Sequence, residues 1–80
     1  MKPDNILMKY KDTDNFEIRI SDFGFSCFFD PSVGLELQLG TLPYMAPELV
    51  DESRPKYNEK VDIWSIGVTT FMLITGLIPF

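Results

Sequence analysis

The chain has 80 residues, with seven Lys+Arg against twelve Asp+Glu for a formal charge of −5, one cysteine and no histidine. Without histidine there is no Ser-His-Asp or Cys-His nucleophile pair, no histidine zinc site and no imidazole base, so acid–base chemistry is left to carboxylates, Lys and Tyr. Cys27 alone closes no internal disulfide, which points to an intracellular, cytoplasmic setting, and the acidic balance without a Lys/Arg run gives nucleic acid no electrostatic footprint.

Lys2-Pro3-Asp4-Asn5 interrupts any apolar run at the start, and no secretory signature follows. Asn5 to Tyr10 carries the apolar triplet Ile6-Leu7-Met8. A charged, turn-prone stretch follows over Lys11 to Asn15, and Phe16 to Ser21 then alternates apolar and polar side chains. This pattern predicts a β-hairpin with one buried face. Asp22-Phe23-Gly24 ends the second strand, and Gly24 is expected to supply the backbone freedom at the bend.

Phe25 to Tyr44 shows no sustained period and is broken by Asp30-Pro31, Gly34, Gly40 and Pro43, which predicts a long loop of the kind that compact domains keep for function or leave disordered. Ala46-Pro47-Glu48-Leu49-Val50 starts a short helix, with Pro at its first position and Glu in its first turn, and the polar stretch from Asp51 to Tyr57 breaks it. Asn58 caps a second helix that runs through Thr75 and stops at Gly76.

That second helix is apolar all round, so it is either the centre of a core or a membrane span. Ile63 to Phe80 has no charge and is long enough to be considered as a span. It is nevertheless diluted by Ser65, Gly67, Thr69, Thr70, Thr75, Gly76 and Pro79 and has no flanking Lys/Arg cluster, so a buried core helix without a membrane partner is expected. Trp64, Phe71 and Met72 are then core residues. A helix of this kind needs cover on every side, more than the residues before it supply.

Taken singly, Asp22 is a turn carboxylate or a metal ligand, Asn5 a turn former or an oxygen donor, and Lys2 a solvated charge or a phosphate partner. Their order changes the weighting. Lys2-Pro3-Asp4-Asn5, Asp22-Phe23-Gly24, Ala46-Pro47-Glu48 and Asp62-Ile63-Trp64-Ser65-Ile66-Gly67-Val68 follow one another across the whole chain, and together they resemble the protein kinase family, serine/threonine type.

The resemblance implies an α+β fold over residues 1–80: part of a kinase domain, a fragment of the C-terminal lobe with a hairpin, an activation loop, a short helix and a buried central helix. The implied activity is transfer of the ATP γ-phosphoryl group to a protein Ser/Thr substrate, with ATP and Mg2+ as cofactors. Asp22 and Asn5 are implied as metal ligands that also bind the nucleotide, and Lys2 as the catalytic cation against the transferred phosphate. Gly40, Thr41 and Tyr44 form the implied wall of the substrate site. Thr41 and the Lys-Pro-Asp-Asn form of the first motif favour Ser/Thr over Tyr, although Leu42 stands where many relatives have proline. Glu48 and Asp62 are implied as structural, Glu48 by pairing with an arginine beyond residue 80 and Asp62 by accepting N–H groups from the catalytic loop. Ser32 is the candidate phosphosite. Phe28-Phe29-Asp30-Pro31 is similar to a stretch in calcium-dependent relatives, where Asp30 or Glu36 would supply standing negative charge.

In the family the catalytic base stands five positions before the metal-binding Asn, which falls just outside the eighty residues. The isolated chain is therefore expected not to catalyse the transfer. The alternative is a truncated, non-catalytic module that binds a kinase partner.

Overall fold

The computed structural model describes residues 1–12, 14–36, 39–51, 53 and 56–80, with Lys11 described by its backbone alone. A 3-10 turn at Pro3–Asn5 leads into β1 (Ile6–Asp12), which pairs antiparallel with β2 (Asn15–Ile20) from Ile6 opposite Ile20 to Asp12 opposite Asn15. Apolar residues face apolar ones at Ile6–Ile20, Met8–Ile18 and Tyr10–Phe16, Lys9 faces Glu17, and the ladder slips between Tyr10 and Asp12 as the strands approach the turn. The hairpin is where the alternation places it, one residue earlier at the start of β2 and two residues longer at the end of β1.

Its expected buried face is not found. Leu7, Met8, Tyr10, Phe16, Ile18 and Ile20 are all exposed, so neither side of the ribbon is covered by the rest of the chain. Alternation marks which side chains share a face, and it does not say what lies against that face.

Among the described residues the loop from Phe25 onward contains an isolated bridge and a 3-10 turn besides its hydrogen-bonded turn at Asp30, with Leu37 and Gln38 lying outside the described residues. Leu35 and Tyr57 exchange both backbone hydrogen bonds, at 2.9 and 2.8 Å, as an isolated antiparallel bridge. A 3-10 turn follows at Leu42–Tyr44. The short helix α1 (Pro47–Val50) begins with Pro at its first position, where the missing N–H costs nothing.

The long helix α2 (Lys60–Thr75) begins two residues after the expected cap, but Asn58 still performs the capping chemistry, since its Oδ1 accepts from the Lys60 N–H at 3.0 Å. Gly76 takes φ +74 and closes the helix by donating its N–H to the Met72 carbonyl at 2.7 Å.

Ala46, Leu49 and Val61 form a small core with Met45 and Tyr57 packed against it. The buried stripe of α2 is Val61, Ser65, Val68 and Thr69, half of it polar. Trp64 and Phe71 are not core residues in this chain. They are 38% and 43% exposed, and only Met72 is partly covered. The helix is apolar on all sides, yet the chain covers only one of them. Among the described residues no helix is long and apolar enough to cross a membrane.

Candidate functional site

The site is built at the open end of the hairpin, where the register puts residue 5 and residue 21 side by side. The Asn5 carbonyl accepts twice from Ser21, from its N–H at 2.8 Å and from its Oγ at 3.2 Å. Asp22 is the next residue along. Two residues seventeen positions apart in sequence are thus brought to one end of the ribbon by the same ladder that makes the hairpin.

Asp22 itself holds φ +62, the left-handed region, which Asp tolerates better than most residues because its short side chain can bond locally. Its Oδ1 accepts from the Gly24 N–H at 3.3 Å. The expectation that Gly24 supplies the backbone freedom is therefore corrected, because the unusual φ falls on Asp22. Gly24 has a different reason to be small, since a Cβ there would lie 3.2 Å from Asp22 Oδ1 and would crowd the carboxylate. The bend continues with Ser26, whose N–H and Oγ both donate to the Phe23 carbonyl.

Lys2 is held by its backbone. Its carbonyl accepts from the Asn5 N–H at 3.1 Å, closing the 3-10 turn, and the Met1 nitrogen donates to Ser65 Oγ on α2 at 3.3 Å. Lys2, Asn5 and Asp22 are therefore brought to the same region, with Lys2 and Asn5 half-buried and Asp22 exposed. Among the described residues no group of three or more His, Cys, Asp or Glu is placed to hold a metal ion. One carboxylate and one amide oxygen are instead the kind of donor set that suits Mg2+, which keeps several waters and takes phosphate oxygens to complete its shell.

Gly40, Thr41 and Tyr44, expected to wall the substrate site, form a separate group. The Thr41 carbonyl accepts from the Tyr44 N–H at 3.0 Å, and the Tyr44 hydroxyl donates to Met72 Sδ at 3.0 Å, which fastens the Leu42–Tyr44 turn to α2. Gly40 lies beside Met45, whose Cγ would stand 3.2 Å from a Cβ at that position. Glu48 is half-buried in the first turn of α1. Asp62 stands exposed in the first turn of α2, where its carbonyl accepts from Ser65 Oγ at 2.9 Å.

Ser32 is part of a compact turn. Its N–H and its Oγ both donate to Asp30 Oδ1, at 2.9 and 2.8 Å, and these bonds hold the Asp30 carboxyl below its ordinary range. Glu36 lies 3.9 Å from Lys56 in an exposed pair, too solvated to contribute much. Tyr57, which bridges to Leu35, has its phenol pushed up by burial first, with smaller electrostatic contributions from the neighbouring Cys27 and Asp62.

Two residues make contacts here that no motif role assigned to them. Ser21 clamps Asn5, and its position immediately before Asp22 was the available signal. Ser65 receives the Met1 nitrogen, and the signal there was a small hydroxyl on the one helix face that the chain buries.

Set against known proteins, residues 1–80 match a family model described as the protein kinase domain. The chain is 45% identical over its full length to the human phosphorylase b kinase gamma catalytic chain, liver/testis isoform, and covers 20% of that protein. It is 43% identical to the dual specificity mitogen-activated protein kinase kinase jkk-1 of Caenorhabditis elegans, covering 18% of it. It is 41% identical to the ovarian-specific serine/threonine-protein kinase Lok of Drosophila melanogaster, covering 17%. In both cases the whole chain is aligned. The chain thus spans about a fifth of the length of the curated relatives it matches.

Proposed function

The chain belongs to the protein kinase family, and from that premise we propose that the open end of its hairpin is the metal-and-phosphate half of a serine/threonine kinase site in the C-terminal lobe. The observation that carries this reading is the double hydrogen bond from Ser21 to the Asn5 carbonyl, which keeps Asn5 beside Asp22. The Asp22 carboxylate and the Asn5 amide oxygen would hold Mg2+, which when bound neutralises the ATP phosphates.

Asp22 and Asn5 fix where the nucleotide phosphates sit. The Lys2 ammonium, on a backbone tied at both ends, offsets charge that grows on the transferred γ-phosphoryl group. The turn from Gly40 to Tyr44 lines the protein substrate, and Thr41 with the Lys2-Pro3-Asp4-Asn5 segment favours a Ser/Thr hydroxyl. Glu48 and Asp62 serve structure, and Ser32 is the residue open to phosphorylation. The single exposed Cys27 suits an intracellular, cytoplasmic protein.

A proton acceptor five positions before Asn5 is outside the eighty residues, so these residues by themselves hold phosphates without completing the transfer. With Mn2+·ATP as a paramagnetic probe, the amide signals of Asn5 and Asp22 broaden, and Asp22→Ala abolishes the effect. Broadening that is absent, or that survives the substitution, rejects the site. A radiolabel assay with ATP and a generic Ser/Thr substrate gives no turnover by the eighty residues, and turnover lost on Asp22→Ala would overturn that statement.

The exposed apolar side of α2 favours a second reading, a non-catalytic module that docks on a kinase partner. Binding to such a partner would be indifferent to Asp22→Ala.

A further inference from the structure

We propose that Met72 is an oxidation site through which a peroxide loosens the Leu42–Tyr44 turn from α2. The step itself stands on geometry, while its consequence for a substrate rests on the reading of Gly40, Thr41 and Tyr44 as the substrate wall. The Tyr44 hydroxyl donates to Met72 Sδ at 3.0 Å and so joins the turn to a helix residue 28 positions away. A thioether is a weak acceptor, and its sulfur lone pairs are what an oxidant attacks. Met72 is only partly covered and sits between the exposed Phe71 and Leu73, which leaves a path for a molecule as small as hydrogen peroxide.

With hydrogen peroxide as oxidant, a sulfur lone pair attacks one peroxide oxygen and the S–O bond forms as the O–O bond breaks. The proton on the transferred oxygen passes to the departing hydroxide, which leaves as water. The sulfur is oxidised by two electrons and the peroxide is reduced by two. An oxygen added on the side of the phenol finds no room within a 3.0 Å separation, so the Tyr44 ring is pushed away. An oxygen added on the other side is a stronger acceptor than the sulfur that carries it, and it draws the hydroxyl off its present line. Both epimers therefore shift the phenol, and both are reversible, because a separate reductase acts on each. Tyr44 also closes the turn by donating its N–H to the Thr41 carbonyl at 3.0 Å, so a displaced ring loosens the segment that carries Thr41. The hairpin supplies a control within the chain. The Tyr10 hydroxyl donates to Met8 Sδ at 3.6 Å, but these residues lie two positions apart on one strand and Met8 is 46% exposed, so oxidation there frees no element from another.

The chain is treated with hydrogen peroxide, each methionine is followed by mass spectrometry, and amide hydrogen exchange is read by NMR before and after. Met8 is expected to oxidise first and to leave the Tyr44 amide unchanged. When Met72 follows, exchange of the Tyr44 amide is expected to quicken about fivefold, the equivalent of one neutral hydrogen bond, and to recover on treatment with methionine sulfoxide reductases. Met72→Leu keeps the volume but removes the acceptor, so its Tyr44 amide exchanges at the quickened rate from the start and peroxide changes it no further. That variant also separates Met72 from Met45, which lies beside Gly40. Tyr44→Phe removes the donor and keeps the ring, and Met72 then oxidises faster at its freed lone pair. The proposal is overturned if Met72 stays unoxidised under peroxide that converts Met8 fully, or if its oxidation leaves the Tyr44 amide unmoved. It is equally overturned if peroxide still quickens Tyr44 exchange in Met72→Leu, or if Tyr44→Phe leaves the Met72 oxidation rate unchanged. Neither nucleotide nor substrate is present, so rejection of the Mn2+·ATP site or of the substrate wall leaves this result separately readable.

Discussion

At residue scale the buried polar groups decide the most. Thr69 Oγ1 is buried on α2 with no hydrogen-bond partner among the described residues, one turn past Ser65, which satisfies both of its roles. An unsatisfied buried hydroxyl carries its desolvation cost with nothing to offset it. Thr69→Val, which keeps the branching, is expected to stabilise α2 by about 1 kcal/mol, measured as slower hydrogen exchange of the α2 amides. The turn at Asp30 gives the opposite case, a carboxylate held ionised by two bonds from Ser32. Its folded pKa is depressed, so the turn's contribution is fully present above the unfolded pKa and is lost as pH falls through the folded value. Ser32→Ala removes the larger of the two causes, and the Asp30 carboxyl followed by NMR titration should return toward the ordinary value.

At the scale of elements, the hairpin and the stop of α2 were legible because each depends on chemistry local to a few residues. Period-two alternation places β2, and Gly76 at the helix end requires no more than the cost of a Cβ in the left-handed region. A Cβ at Gly76 would meet nothing within 4 Å, so Gly76→Ala tests backbone conformation alone. It should cost about 1 to 2 kcal/mol at the end of α2, read as faster hydrogen exchange of the last amides of the helix. The placement of Asp22 beside Asn5 was legible only through ordered motifs, since spacing alone left each residue as a turn former. The left-handed φ of Asp22 was not legible, because Gly24 two positions later was the simpler candidate for it. The exposed faces of the hairpin and of Trp64 and Phe71 escaped for a further reason. Hydropathy records what a side chain prefers, while burial depends on which other elements reach it.

For the whole molecule, the radius of gyration is 14.6 Å, against about 12 Å for a compact domain of this length, and the longest extent is 47 Å. No large side chain is fully buried among the described residues, while Ile63, Leu73, Ile74, Leu77 and Phe80 on and after α2 are open to solvent. A core made chiefly of Ala46, Leu49 and Val61 is small for cooperative melting. Heated alone, the chain should show a broad transition by circular dichroism and bind a hydrophobic dye before the transition begins. A sharp two-state melt with no dye binding would show that the ribbon and α2 are better covered than their exposure indicates.

Trp64 is the only tryptophan of the chain, and its ring stacks on Phe80 with centroids 5.6 Å apart and planes 15° from parallel. Indole emission responds to water around the ring, and here one face of the ring is shielded by Phe80. The fluorescence of this chain therefore reports how the segment after Gly76 is seated, ahead of any melting of the helix that carries the indole. An emission red-shifted at low temperature, before ellipticity changes, would mean that Phe80 has lifted away, so the two optical signals separate loss of the Trp64–Phe80 stacking from loss of the helix.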